Sequence, residues 1–294
     1  MKRIVFGEKI KEKIVLSLGF FDSLHKGHRA LIESGRTLSK KLNAKNAVFT
    51  FYSEIPLKKG LLYSFDERME LLSFLCDFVL TFPFNEKSKN ISPVNFLESL
   101  IGSYDIVGIV SGKDFTFGKG GQGDISLLKD FCSKKGITQI IVDEVVDSEG
   151  KISTSRIIEK IKEGNIERAN ELLVDDYIFI GKVESGRKVG RKLGFPTVNA
   201  VFPANKEKLK SGVYYATCYI EGKEYKCAVN VGSAPTFNES EYKVEAHILD
   251  FDGEFYGENI TLRFKKRIRD VVNFVDLDKL TKQIEKDVNL IKEL

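Results

Sequence analysis

Hydrophobic patterning changes character at Asp175-Asp176, and no other feature of this sequence constrains the fold as tightly. Before that point, short apolar runs alternate with stretches of helical spacing. Residues 14–18 and 47–51 are apolar runs of the kind buried on both faces of a sheet, and residues 106–110 and 137–142 repeat the pattern. Between them, Ala30, Leu31, Leu38 and Leu42 lie on roughly one face of a helix predicted over 28–42. Further helices are predicted over 66–80, with Ser64 or Asp66 as cap, over 94–101 and over 125–135. Strands alternating with helices imply an open parallel sheet covered on both faces.

After a helical stretch at 155–173, the pattern becomes strand upon strand. Runs at 177–183, 212–220, 223–231, 242–249 and 259–264 are separated by turn signals such as Glu221-Gly222 and Asp252-Gly253. Regularly spaced strands with no helices between them predict a small antiparallel barrel. The tail, 276–294, is helical, with Leu280, Ile284, Asp287 and Ile291 near one line. The expected division is therefore 1–176 and 177–294.

Composition narrows the function. Of 294 residues, 42% are apolar, enough for two ordinary cores. The formal charge is +4, from 46 basic and 42 acidic residues, too small an excess for a nucleic-acid face but compatible with an anionic small molecule. No stretch approaches the length of a membrane span, and the apolar run at 14–21 ends at Asp22 without a cleavage signature. The cysteines at 76, 132, 218 and 227 form no C-x-x-C pair and are expected to be reduced core thiols of a cytoplasmic protein.

The stretch Gly19-Phe20-Phe21-Asp22-Ser23-Leu24-His25-Lys26-Gly27-His28 follows the first strand and opens the first helix. In an open parallel sheet that is where anions bind, on backbone N–H groups at a helix start. Gly27 lets a phosphate approach the backbone. His25 and His28 lie on one side of the first turn, each able to donate to a phosphate oxygen and to become charged near neutral pH. Taken alone, H-x-x-H also suits a metal site or two unrelated surface histidines. Gly112-Lys113-Asp114-Phe115-Thr116-Phe117-Gly118 follows another strand; its aromatics either stack on a planar ring or are simply core. Ile152-Ser153-Thr154-Ser155-Arg156 precedes a helix and offers either an N-cap or hydroxyls and a guanidinium to a polyphosphate.

In the second half, Gly186 to Asn199 reads G-R-K-V-G-R-K-L-G-F-P-T-V-N. Its glycines and basic residues suit a polyphosphate, or a solvated surface loop. Thr197 and Asn199, two apart on a strand, face the same way and offer neutral oxygens to a phosphate-bound Mg²⁺. Glu245 sits between Val244 and Ala246, where a charge needs a reason: a base, or an outward-facing strand carboxylate. His247 shares its face.

Together these motifs resemble the prokaryotic bifunctional riboflavin kinase/FAD synthetase (FMN adenylyltransferase) family. The H-x-G-H stretch, Gly112 to Gly118 and Ile152 to Arg156 resemble its adenylyltransferase half. The G-R-K-L-G-F-P-T-V-N run, with Gly212-Val213-Tyr214, Asn230 to Phe237, Val244 to Phe251, Tyr256-Gly257 and Arg269 before Phe274, resembles its kinase half. The resemblance implies a Rossmann-like nucleotidyltransferase sheet with helices, then a small six-stranded antiparallel barrel with a terminal helix. It implies that ATP phosphorylates riboflavin to FMN, and that FMN is then adenylylated with ATP to FAD and pyrophosphate, with Mg²⁺ and without nucleic-acid or membrane partners.

By that resemblance, Gly19, Phe20, Phe21, Asp22, His25, Gly27, His28, Ser153, Thr154, Ser155 and Arg156 hold ATP for adenylyl transfer, His25 and His28 being catalytic. Asp114 and Phe115 lie on the flavin side. In the kinase, Gly190, Lys192, Gly194, Phe195, Pro196, Thr197 and Asn199 hold ATP, Thr197 and Asn199 also the metal, Glu245 is the base and Arg269 meets the flavin. Ser23 stands where the family has Gly, Ile158 where it has Arg, and Asn273 where it often has Lys. Ile158 leaves open a kinase with a degenerate N-terminal half. A flavin-binding regulator without turnover is the remaining alternative.

Overall fold

The computed structural model describes residues 1–55, 60–184, 190, 193–234, 239–253 and 257–294. They form two compact units: Met1–Gly60 with Arg68–Thr154, and Leu61–Glu67 with Ser155–Leu294.

The first unit is a six-stranded sheet built from β1 (Lys2–Val5), β2 (Ile14–Leu18), β3 (Lys45–Ser53), β4 (Phe78–Phe84), β5 (Ile106–Gly112) and β6 (Thr138–Val142), in the order β1-β4-β3-β2-β5-β6. Every pairing in it is parallel, and β7 (Val146–Asp147) and β8 (Gly150–Lys151) form a separate antiparallel pair. Ile14, Val15, Leu16 and Leu18 of β2 are all buried, as the unbroken apolar run required. Helices α1 (Lys26–Lys41), α3 (Pro93–Ser103) and α4 (Ile125–Lys135) fall where helical spacing placed them. The predicted helix at 66–80 is wrong in its second half. Helix α2 (Phe65–Leu72) stops early, and Phe78 to Phe84 is an inner strand between β1 and β3. Aromatic and β-branched residues there satisfy a sheet better than a helix, and their apolar run had blurred into the helical spacing before it. From β2 the chain builds outward to β3 and β4, then crosses back to β5 on the other side. The switch point thus lies beyond the carboxyl ends of β2 and β5, where open α/β sheets bind ligands.

Helix α5 (Thr154–Glu163), in the second unit from Ser155 onward, and α6 (Ile166–Leu172) replace the single helix expected over 155–173. Gly164, at φ +83°, ends the first, and the Asn165 side chain caps the second by accepting from the Arg168 N–H. Strands β9 (Tyr177–Glu184), β10 (Val198–Val201), β11 (Gly212–Ile220), β12 (Lys223–Ala234), β13 (Glu239–Ile248) and β14 (Asn259–Arg269) close a barrel in the order β10-β13-β12-β11-β14-β9. All its pairings are antiparallel. Helix α7 (Leu277–Glu293) follows, packing Val288 and Ile291 against Leu249, with Tyr215, Ala228 and Ile268 alongside. All four cysteines are free and buried. Among the described residues no helix is long and apolar enough to cross a membrane.

Candidate active sites

In the first unit, α1 starts at the switch point with a histidine as its cap. His25 has extended backbone, and its Nδ1 accepts the His28 N–H at 3.2 Å. An acceptor nitrogen carries no proton, so the neutral ring holds its hydrogen on Nε2, free to donate to an anion. The His25 and His28 rings stack with centroids 3.9 Å apart and planes 9° from parallel, and Phe21 leans on His28 at 5.1 Å. The two imidazoles come together as their spacing implied. The expectation that either becomes charged near neutral pH is overturned. Burial lowers His25 to about 4, with Lys151 adding to the effect. Burial and the neighbouring His25 hold His28 well below its usual range. Both are neutral donors at neutral pH.

Gly27 has a more local reason than phosphate access: a Cβ there would sit 2.9 Å from Cε1 of His25. Phe21 is fully buried, so it can offer a ligand only its backbone; Asp22 is buried beside it. Phe21 (φ 54°) and Leu24 (φ 44°) hold left-handed backbone without being glycine, a cost of about 1–2 kcal/mol each that the surroundings must offset. Ser23 is buried and bonds its hydroxyl to that of Thr154 at 2.8 Å, which joins the first motif to the hydroxyl motif. Ser153 precedes α5, and Ser155 and Arg156 follow in its first turn.

Beyond β5, the Asp114 carboxylate meets Lys151 at 2.6 Å, and Lys151 also binds Glu144 at 2.7 Å. The bond to Lys151 keeps Asp114 below the usual carboxylate range, and both groups act electrostatically on His25. Phe117 is core, packed on Phe96 at 5.9 Å. Phe115 is half-buried and stacks on Phe117 at 5.6 Å.

In the second unit, Phe195 N–H donates to Gly190 O at 2.8 Å, closing the glycine-bounded loop, and Gly194 takes φ +85°. A Cβ on Gly190 would lie 2.3 Å from Phe195 O. Lys192 lies outside the described residues. Strand β10 begins at Val198, so Thr197 stands one residue outside it, exposed, rather than on the strand as expected. Asn199 pairs directly with Glu245 on β13, and Glu245 pairs on its other side with Asn230 of β12. Val244, Ala246 and Ile248 are buried in the barrel, so alternation puts Glu245 and His247 on its outer face. His247 Nδ1 bonds Pro196 O at 2.8 Å, and its ring meets Phe195 edge-on, tying the loop to β13.

Arg269, expected at the flavin, spends its guanidinium on the buried Asp287 of α7 in a fork of bonds at 2.7–3.1 Å. Motif reading assigned nothing to Asn230 or Asp287. The signal for Asp287 was a carboxylate in line with Leu280, Ile284 and Ile291 on an otherwise apolar helix face.

A parallel sheet with a helix start at its switch point, followed by a closed antiparallel barrel that pairs an asparagine with a glutamate, is the architecture of a two-domain transferase. A family model for FAD synthetase matches residues 7–156, and one for riboflavin kinase matches residues 173–294. The bifunctional riboflavin kinase/FMN adenylyltransferase of Bacillus subtilis is 32% identical over 94% of this chain and 90% of its own. That of Listeria monocytogenes is 30% identical over 93% and 90%. The crystal structure of a protein described as a macrolide-efflux protein from Streptococcus pneumoniae shares the fold, with TM-score 0.85, 28% identity and 99% of both chains covered. The chain belongs to the bifunctional riboflavin kinase/FMN adenylyltransferase family.

Proposed function

We propose that this protein makes FAD in two ATP-dependent steps, phosphorylating riboflavin with residues 177–294 and adenylylating the FMN with residues 1–176. The observation that carries the reading is the cross-strand pair Asn199–Glu245, which brings the last residue of the kinase motif directly opposite a carboxylate.

In the kinase step, the terminal ribityl hydroxyl of riboflavin attacks the γ-phosphorus of ATP. A new O–P bond forms, the bond to the bridging oxygen breaks, and ADP leaves. The hydroxyl is neutral, so its proton must go somewhere, and Glu245 accepts it. Asn199 and Thr197 face the phosphates with neutral oxygens. Among the described residues no cluster of three or more His, Cys, Asp or Glu side chains would hold a metal alone. A neutral-oxygen set beside one carboxylate suits Mg²⁺ delivered with ATP, which when bound would offset phosphate charge. His247 keeps the Pro196 carbonyl, and with it the loop, in place.

Adenylyl transfer needs no base. The FMN phosphate is already an anion; it bonds to the α-phosphorus, the α–β bridge breaks, and pyrophosphate leaves. What remains is positioning and charge stabilisation. His25 supplies Nε2–H, the start of α1 supplies backbone N–H groups, and Ser153, Thr154, Ser155 and Arg156 hold the polyphosphate. Asp114 and Phe115 border the flavin, with Lys151 setting the Asp114 carboxylate. Neutral histidines suit this task, since a dry site makes each hydrogen bond stronger.

The test is a product assay with riboflavin, ATP and Mg²⁺, flavins being separated over time. FMN first and FAD later is the expected course. FMN alone, even with FMN supplied as substrate, would mean that Ile158 in place of the family's Arg has cost the first half its activity. No turnover with flavin still bound would leave a binding protein.

A further inference from the structure

Arg68 belongs to none of the motifs, yet it is only 1% exposed. A buried guanidinium is rare without a specific task. Its Nη1 donates to Phe20 O at 3.1 Å and to Thr50 Oγ1 at 2.8 Å, and its Nη2 donates to Phe51 O at 3.1 Å. The Thr50 hydroxyl donates to the same Phe20 carbonyl at 2.7 Å. The guanidinium lies 4.8 Å over the Phe20 ring, which stacks on Phe51 at 4.2 Å. Burial lowers the group to about 10, and Asp22 works the other way, so Arg68 stays charged at neutral pH.

The carbonyl so held belongs to the loop between β2 and α1. In a trans peptide the C=O and the following N–H point opposite ways. Two donors that fix Phe20 O on the Arg68 side therefore turn the Phe21 N–H to the other side. Phe21 and Leu24 then hold left-handed backbone that their side chains disfavour, a state that persists only where the surroundings over-determine it. Their own buried rings and methyls provide part of that; the Arg68 clamp provides the fixed point from which the turn starts.

We infer that Arg68 is a positioning residue for adenylyl transfer, locking the Phe20–Phe21 peptide so that the loop from Gly19 to His28 is pre-organised for the triphosphate. The inference rests on the adenylyl-transfer reading above.

Full-length Arg68→Met and Arg68→Lys, assayed for both reactions on the same preparations, test it. Displacing a catalytic loop by about 1 Å costs on the order of 10²-fold in rate. Arg68→Met is expected to lower kcat for FMN adenylylation by about that factor, with KM for FMN and riboflavin phosphorylation changed less than about twofold. Lys, which keeps one of the donors, is expected to recover part of the loss. If the wild type does not adenylylate FMN, the underlying reading fails. If it does, and folded Arg68→Met keeps kcat within about threefold, the inference is overturned. Parallel loss of both activities overturns it too, since that is a fold defect. Should Arg68→Met not fold, Arg68→Lys and Thr50→Val decide: Thr50→Val removes the second donor to Phe20 O, and unimpaired adenylylation in both overturns the clamp.

Discussion

Asn199 and Glu245 are direct partners across the β10–β13 ladder, with Asn230 facing Glu245 from the other side. Directly opposed residues share one face of a sheet, so an amide from the glycine-bounded motif and a carboxylate from a distant strand are brought together by register alone. Glu245→Gln keeps the shape and removes the proton acceptor. It is expected to lower kcat for riboflavin phosphorylation by about 10²–10⁴-fold and to leave FMN adenylylation unchanged. Steady-state kinetics of both reactions on one preparation check this. Loss of adenylylation in the same folded variant would contradict separate sites.

Two glycines give the cleanest contrast between the halves. Gly27 has no positive φ, and alanine is a better helix former, so Gly27→Ala costs the fold nothing intrinsic. Its Cβ would instead push the His25 ring from 2.9 Å. Adenylylation is expected to fall by about 10²-fold, as for loss of one aligned donor, with kinase activity and thermal stability retained. Gly190→Ala should do the reverse, since its Cβ meets the Phe195 carbonyl, which is backbone and cannot swing away. Assaying both variants for both products separates the two outcomes.

The alternation before Asp175 and the strand run after it were enough for the two architectures, because each depends on a local period. Strand β4 escaped because Phe78 to Phe84 continues an apolar stretch whose helical spacing had not yet ended. Strands β1 and β10 are too short to show a period. The pairing of His25 and His28 was legible because three residues at a helix start fix it geometrically. Their charge state was not, because it depends on burial by residues far along the chain. Arg68 and the excursion Leu61–Glu67 left no trace in the pattern for the same reason: only the packed fold gives a charged residue an interior to occupy.

His25, half-buried at the start of α1, makes stability depend on pH. Unfolded His25 takes up a proton near 6.5, whereas the folded group waits until about 4. Above pH 6.5 neither state is protonated and nothing is lost. As pH falls from there toward 4, the unfolded state gains protons that the folded state refuses, and stability declines by on the order of 3 kcal/mol for this group alone. Urea denaturation from about pH 7 to about pH 5 should show the decline, and His25→Gln should reduce it, leaving the part that the similarly lowered His28 contributes. An equal slope in the variant would mean that the imidazole is solvated.

The second unit carries a fully buried ion pair between Lys206 and Glu67, both side chains at 0% exposure. Lys206 Nζ also reaches Ile178 O at 3.1 Å and lies 4.7 Å from the Tyr177 ring centroid and 5.4 Å from that of Tyr63. Glu67 accepts from Ile180 N–H at 2.9 Å and Ser64 N–H at 2.7 Å. Lys206→Met keeps the volume but leaves a carboxylate in an apolar interior with no counter-charge. Breaking such a pair from one side costs about 3–5 kcal/mol, while replacing both partners with apolar groups costs far less. Lys206→Met is therefore expected to lower the unfolding free energy of the barrel unit by about 3–5 kcal/mol. In the double variant with Glu67→Leu the loss should be smaller than the sum of the two single losses, by about 1–3 kcal/mol of coupling. The two N–H groups that Glu67 now satisfies would remain as the residual cost. Denaturant unfolding of the four proteins of this cycle decides the point: additive losses would show that the two charges are stabilised by their other neighbours and not by each other.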